Sequence, residues 1–69
     1  MNVFEKIRIL TDKKKGFGIP MIVIGRYIGC HPTSINYYLE GAEAKDKVIE
    51  KYEQGIEELF RDMKKLMEE

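Results

Sequence analysis

Residues 29–41 read Gly-Cys-His-Pro-Thr-Ser-Ile-Asn-Tyr-Tyr-Leu-Glu-Gly, and this stretch decides how the chain folds. Gly29 can adopt a positive φ without steric cost, as a sharp turn between two helices requires. Ile35 and Leu39 then recur at a spacing of four residues, which is typical of the buried face of a short helix. Gly41 stands where glycine commonly ends a helix. The stretch therefore predicts a tight turn followed by a helix of about two turns.

Another helix is predicted immediately before this turn. Gly25 lies four residues before Gly29, at a point where two helices that cross steeply leave no room for a larger side chain. Two helices joined by a short glycine-containing turn form a helix-turn-helix unit, which points to DNA binding. The outward face of the second helix carries groups able to contact base edges, with Glu40 at its margin. These candidate base-reading residues are Pro32, Thr33, Asn36 and Tyr37.

Residues 18–41, roughly a third of the chain, resemble the lambda-repressor and Cro-like (Xre-type) helix-turn-helix proteins of phages and bacteria. The resemblance implies that Pro20–Ile28 form the first motif helix and Pro32–Glu40 the reading helix. It also implies that the candidate base-reading residues, Pro32, Thr33, Asn36 and Tyr37, face the bases. The chain departs from the family pattern at His31, which replaces the usual serine or threonine cap. Proline at the first position of the reading helix partly compensates, because its missing N–H would be unpaired there.

The charges of the chain are unevenly distributed although the formal net charge is zero. Residues 1–41 carry six basic and three acidic side chains, whereas residues 42–69 carry six basic and nine acidic ones. This asymmetry predicts a basic head that faces DNA and an acidic tail that stays away from it. For the three consecutive lysines, a solvated turn is the alternative interpretation. The candidate phosphate-binding residues are Lys13, Lys14, Lys15, Arg26, His31 and Ser34.

The segment before the motif predicts a first helix and a loop. Residues 2–11 have helical periodicity, with Asn2 as the capping residue and Glu5 three positions later. The helix should pack on the motif through one apolar face, which consists of Val3, Phe4, Ile7 and Leu10. Residues 12–18 form a loop that contains the lysines, and Phe17 is expected to anchor this loop in the core.

Residues 45–69 predict a long amphipathic helix. Its apolar positions follow a heptad pattern and form a seam of Ile49, Tyr52, Ile56, Leu59, Met63 and Leu66. One small domain cannot easily bury an apolar stripe on a helix about 36 Å long. We therefore predict that this seam is a homodimer interface. Alternatively, Gly55 breaks the segment into two short helices that fold back on the core. We favour one helix, since heptad packing can outweigh the cost of about 1 kcal/mol for a helical glycine.

Composition bounds the function classes. With 69 residues the chain is predicted to form a single domain, residues 1–69, in which residues 45–69 are the dimerisation helix. The longest apolar run, residues 19–24, is far too short to span a membrane, and no charged-then-apolar leader begins the chain. The single cysteine, Cys30, suits a reducing cytoplasm. Cys30 and its neighbour His31 cannot supply a tetrahedral metal site within one chain. They could be proposed as a nucleophile and base, but adjacent residues at a helix start usually point apart, so we disfavour catalysis. We therefore expect no catalytic, cofactor or metal site and no small-molecule substrate.

Two functions remain for an all-α protein built as a small helical domain with a helix-turn-helix and a long C-terminal amphipathic helix. The first is a sequence-specific, homodimeric regulator that binds double-stranded DNA and represses or tunes transcription. The second is a protein-interaction factor, such as an antirepressor or host-directed inhibitor, on the same scaffold. We favour the first, because Thr33, Asn36 and the basic loop lie on or beside one predicted face.

Overall fold

The computed structural model of the chain describes residues 2–68, so the predicted domain limits Met1 and Glu69 lie outside the described residues. The described range contains four helices and no strand, which confirms the all-α prediction. Both motif helices begin and end within one residue of their predicted limits. None of the four helices combines the length and apolarity needed to cross a lipid bilayer. The helices are α1 (Val3–Thr11), α2 (Met21–Ile28), α3 (Pro32–Leu39) and α4 (Asp46–Glu68).

Helix α1 begins at the cap that the sequence predicts. The side-chain oxygen of Asn2 accepts a hydrogen bond of 2.9 Å from the Glu5 N–H, one of the backbone donors without a partner inside the helix. The predicted inward face is also confirmed, because its members are buried or packed against the core: Val3, Phe4, Ile7 and Leu10.

The turn between α2 and α3 depends on two glycines. Gly29 has φ +89°, the left-handed conformation that the turn needs. The N–H groups of Gly29 and Cys30 both donate to the Gly25 carbonyl, at 2.7 and 3.0 Å. A Cβ on Gly25 would lie only 2.5 Å from the Cys30 carbonyl oxygen. The prediction that Gly25 leaves no room for a side chain is confirmed, and the close neighbour is the backbone of the turn itself.

The end of α3 is closed by hydrogen bonds around Gly41. This glycine has φ +114°, and its N–H donates to the Tyr38 carbonyl at 3.1 Å. The next N–H, from Ala42, donates to the Tyr37 carbonyl at 3.4 Å. This pair of bonds is the Schellman arrangement, which favours glycine at the left-handed position. The predicted role of Gly41 is therefore confirmed.

A single hydrophobic cluster joins all four helices. The largest fully buried side chains include Ile7 from α1, Ile24 from α2 and Ile35 from α3. Burying one such side chain stabilises the folded state by about 1.5–3 kcal/mol, so this cluster is the main source of stability. Its members are Val3, Ile7, Leu10, Ile24, Ile28, Ile35, Tyr52, Ile56 and Leu59.

Helix α4 runs unbroken for 23 residues through Gly55, as we predicted. The sequence suggested no reason for a glycine there beyond a possible break, whereas the structure supplies one. A Cβ on Gly55 would lie 2.7 Å from the Ile28 Cα and 2.8 Å from the Tyr27 carbonyl oxygen. The absent side chain lets the backbones of α2 and α4 touch, so Gly55 is a packing residue.

The structure corrects the predicted dimer interface. Tyr52, Ile56 and Leu59, the middle of the heptad seam, are buried against the other helices of the same chain. Ile49 and Met63 are half-buried on the same core, and only Leu66 is well exposed, at 73%. The prediction was wrong because α1 and α2 together present enough apolar surface to cover the seam. In this structure the buried residues of the seam are therefore not accessible to a second chain.

Polar side chains on α4 reinforce its contact with α2. The Tyr27 hydroxyl donates a 2.6 Å hydrogen bond to the Asp62 carboxylate, which raises the pKa of Tyr27. Lys51 donates to the carbonyl of Gly29 at 3.4 Å. This ammonium lies at the carboxyl end of α2, where a positive charge is favourable to the helix dipole.

Candidate nucleic-acid interface

The outward face of α3 is the strongest candidate for nucleic-acid binding. Ile35 is fully buried and anchors the helix, whereas Thr33, Asn36 and Tyr37 are exposed on its opposite side. Their spacing of three and four residues places them on one helical face. Pro32 differs from these three predicted base-reading residues because it is half-buried, against the turn at Gly25.

His31 holds the amino end of α3. Its Nδ1 accepts a hydrogen bond of 3.1 Å from the Thr33 N–H, so the histidine is itself the cap of the helix. Its carbonyl accepts a second bond, of 2.9 Å, from the Ser34 N–H. The cap leaves only Nε2 of the exposed imidazole available for a phosphate. Ser34, the other predicted phosphate contact at this end, is exposed.

The carboxyl end of α3 is held by a residue that the sequence analysis did not single out. The Arg8 guanidinium on α1 donates to the Leu39 carbonyl, one of the last carbonyls of α3. A cation at this position is favourable to the helix dipole and ties α1 to α3. No sequence signal identifies this role, because it depends on where two separate helices meet. Part of the positive charge of residues 1–41 is therefore already engaged within the fold.

Aromatic rings support α3 from behind. Tyr38 packs against both Phe4 and Tyr52, with ring centroids 5.9 and 5.7 Å away. Tyr37, on the outward face, meets Tyr38 edge to face at 5.5 Å and an interplanar angle of 74°. Such contacts restrict the orientation of the rings and favour a fixed position of the helix. The exposed Tyr37 ring is thus supported before any ligand binds.

A hydrogen bond from the Cys30 thiol joins the turn to these aromatic rings. Cys30 donates a hydrogen bond of 3.4 Å to the Tyr52 hydroxyl. Burial, together with this hydrogen bond, raises the pKa of Tyr52 well above its ordinary value, so the phenol stays neutral. The half-buried Cys30 therefore packs against the core.

A groove of about 460 Å³ lies beside the amino end of α3. Arg26 from α2 and His31 from the turn both line it, so the structure brings two of the predicted phosphate contacts together. Ile22, which is largely exposed, also borders the groove. Arg26 and His31 at this edge of α3 are of the side-chain types that can contact phosphate groups.

The three lysines lie on a separate loop that is ordered by Asp12. The Asp12 carboxylate accepts hydrogen bonds from the N–H groups of Lys15 and Lys14, at 3.1 and 2.8 Å, and these bonds lower its pKa. Lys13, Lys14 and Lys15 are all exposed. The loop therefore presents its three ammonium groups to solvent.

Phe17 does not anchor this loop, and the prediction that it would was wrong. Its side chain is 63% exposed. Backbone hydrogen bonds hold the loop instead: Gly18 donates to the Asp12 carbonyl at 3.0 Å and Ile19 to the Leu10 carbonyl at 2.8 Å. These bonds satisfy the segment locally, so no apolar anchor is needed.

Residues 2–68 contain no group of three or more His, Cys, Asp or Glu side chains arranged to bind a metal ion. Comparison with protein-family models, with curated proteins and with solved structures finds no match to this chain. The resemblance of residues 18–41 to the repressor and Cro-like proteins therefore stays a prediction from the motif.

Proposed function

We propose that this chain is a sequence-specific DNA-binding regulator of transcription, of the repressor type found in phages and bacteria, and that it acts in the cytoplasm. The observation that carries the proposal is the outward face of α3. Thr33, Asn36 and Tyr37 are exposed together on a helix that is buried on its other side. A helix of this kind fits the DNA major groove, where hydroxyl and amide groups can hydrogen-bond base edges.

Each exposed group on this face has a chemical counterpart in DNA. The Asn36 amide can donate and accept together, which matches N7 and N6 of adenine. The Thr33 methyl and hydroxyl can contact the methyl group of thymine or a base acceptor. Arg26 and the lysine loop would bind phosphates and fix the docking position, a role without sequence preference.

Binding to a random double-stranded DNA pool at two salt concentrations tests the proposal. Four cations, Lys13, Lys14, Lys15 and Arg26, are exposed near the motif. If all four bind phosphates, the slope of log affinity against log salt is about −3.6 for each chain. Fluorescence anisotropy on a selected site should also show tighter binding than on random DNA. Absence of binding to any duplex at low salt would overturn the proposal.

A protein-interaction factor remains the second candidate. It is favoured by the large apolar side chains that the surface exposes, among them Ile22 and Tyr37 beside or on the same α3 face. Such a factor should bind a protein partner through α3 and show no preference among DNA sequences. The DNA pool experiment therefore separates the two candidates.

We also propose that the regulator is a homodimer, because two reading helices related by symmetry would bind an inverted repeat with half-sites about 10 bp apart or a multiple of that. The interface must differ from the seam predicted from the heptad pattern, whose central residues are buried within the chain.

A further inference from the structure

An apolar patch lies between α1, the loop that follows it and α4. Ile9, Phe17 and Phe60 line one groove of about 240 Å³ together with Lys6 and Leu10. The three side chains are 43%, 63% and 41% exposed, respectively. Isolated exposed apolar residues are ordinary on protein surfaces, whereas a contiguous cluster marks an interaction site.

Charges along α4 are separated on either side of Phe60. Glu53 and Glu57, on the amino-terminal side, line a cavity with Phe60, and the basic side chain of Lys6 from α1 lines the same cavity. Arg61 and Lys64, on the carboxyl-terminal side, line another cavity with Phe60 and Glu57. The exposed face of α4 therefore changes from acidic to basic as the chain passes the aromatic ring.

The charge patterns of two copies of α4 are complementary when the helices are antiparallel. In a pair of α4 helices related by a two-fold axis near Phe60, the antiparallel direction places the acidic half of each helix opposite the basic half of its partner. The parallel direction would place like charges together, which is unfavourable. The two phenylalanine rings would meet at the centre, where aromatic residues contribute most to an interface.

We propose that a second copy of this chain binds at the patch of Ile9, Phe17 and Phe60, with the two α4 helices antiparallel. The interface differs from the heptad seam because it uses the face of α4 that the core leaves exposed. The patch is built from α1, its loop and α4, so the outward face of α3 stays free in both copies. This inference rests on the homodimer part of the proposed function and is independent of DNA binding.

Sedimentation equilibrium of the whole chain without DNA is the first test. We expect the unaltered protein to form a dimer within a concentration range that extends to about 100 µM. The variant Phe60→Glu should be a monomer over the same range, because it would bury a charge at the two-fold axis. Phe60 is partly exposed, so this variant should keep its helical circular dichroism. Leu66→Glu, a matched change of another exposed apolar residue on α4, should leave the dimer intact.

Exchange of charges tests the antiparallel direction. Glu57→Lys alone and Lys64→Glu alone each create two repulsive contacts in a symmetric dimer, so each should weaken dimerisation about tenfold. The double variant Glu57→Lys with Lys64→Glu restores opposite charges and should recover most of the dimer affinity. A purely structural role for either residue would not show this recovery.

The outcomes separate this inference from DNA binding. A monomeric protein at every concentration, a dimer unaffected by Phe60→Glu, or a double charge exchange without recovery would overturn the proposed interface. DNA binding by the protein in the first of these cases would leave the DNA-binding proposal standing. Conversely, a dimer that responds as expected but binds no duplex would support the interface and remove the DNA-binding function.

Discussion

Helices α3 and α4 are both amphipathic, yet they divide their residues in opposite ways. The 8 residues of α3 include one buried side chain, Ile35, whereas α4 contributes Tyr52, Ile56 and Leu59 to the core. The exposed face of α3 carries uncharged hydroxyl, amide and phenol groups, whereas that of α4 carries opposite charges around one aromatic ring. The side chains that stabilise the fold and those proposed to contact DNA thus lie mainly on different helices. Changes on the buried side of α4 should therefore affect folding, and changes on the exposed face of α3 should affect DNA binding.

The largest expected effect tests the buried side of α4. Ile56→Ala should lower the free energy of unfolding by about 2–5 kcal/mol, because it leaves a cavity in the core. Leu66→Ala, at another position of the same heptad seam but exposed, should change it by less than about 0.5 kcal/mol. Urea unfolding followed by circular dichroism measures both. Similar losses in the two variants would mean that the seam is buried along its whole length, as in the interface we first predicted.

The next prediction concerns the close contact at Gly55. It is tested by the sign of the change in the free energy of unfolding. Helix propensity alone predicts that Gly55→Ala stabilises the protein by about 1 kcal/mol. The contact with Ile28 predicts instead a net loss of about 1–3 kcal/mol, because α2 and α4 must separate to admit the methyl group. Gln54→Ala, on the exposed side of the same helix, is the control. A higher unfolding midpoint for Gly55→Ala than for the unaltered protein would contradict the packing argument.

The third prediction tests the exposed face of α3. Asn36→Ala should weaken binding to a preferred DNA site by about 1–3 kcal/mol while leaving non-specific binding and the unfolding midpoint unchanged. Lys14→Ala should weaken binding to all sequences alike, because a phosphate contact has no sequence preference. Fluorescence anisotropy on the selected and a scrambled duplex separates the two. Equal losses on both duplexes for Asn36→Ala would remove Asn36 from the base-reading residues.

The smallest expected effect is on the lysine loop, residues 12–18, which lies outside both α3 and α4. The pKa of Asp12 is lowered from its ordinary value of 3.8, so the carboxylate stabilises the loop above that pH and the contribution is lost as the pH falls below it. The NMR signals of the Lys14 and Lys15 amides should therefore shift with a midpoint below pH 3.8. Asp12→Asn retains an acceptor and should abolish the titration while keeping the loop. A midpoint above 3.8 would show that the hydrogen bonds are absent in solution.

The sequence predicts the motif well because its signals are local. Gly29 and Gly41 need left-handed backbone, and Asn2 supplies a cap, each within a few residues of the element it controls. The periodicity of α4 likewise predicts which side chains are buried, such as Ile56. It carries no information about whether the covering surface belongs to the same chain or to another.

The errors and omissions concern contacts that no pattern of residue types encodes. Phe17 was expected to anchor its loop, but backbone hydrogen bonds hold that loop and are invisible in the sequence. The packing role of Gly55 was missed, because its contact with Ile28 joins positions far apart in the chain. Arg8 was not singled out for the same reason, since its acceptor lies at the end of α3.

If α3 reads DNA as we propose, its shortness limits how many base pairs one copy of the chain can recognise. Its 8 residues extend about 12 Å at 1.5 Å per residue, which matches about four base pairs at 3.4 Å each. A given sequence of four base pairs occurs by chance about once every 256 positions. One copy of the chain would therefore have thousands of equivalent binding sites in a bacterial genome. Two copies that read eight base pairs together reduce this number about 256-fold. Under the proposed function, the length of a single two-turn helix would therefore require two copies of the chain to select a particular operator.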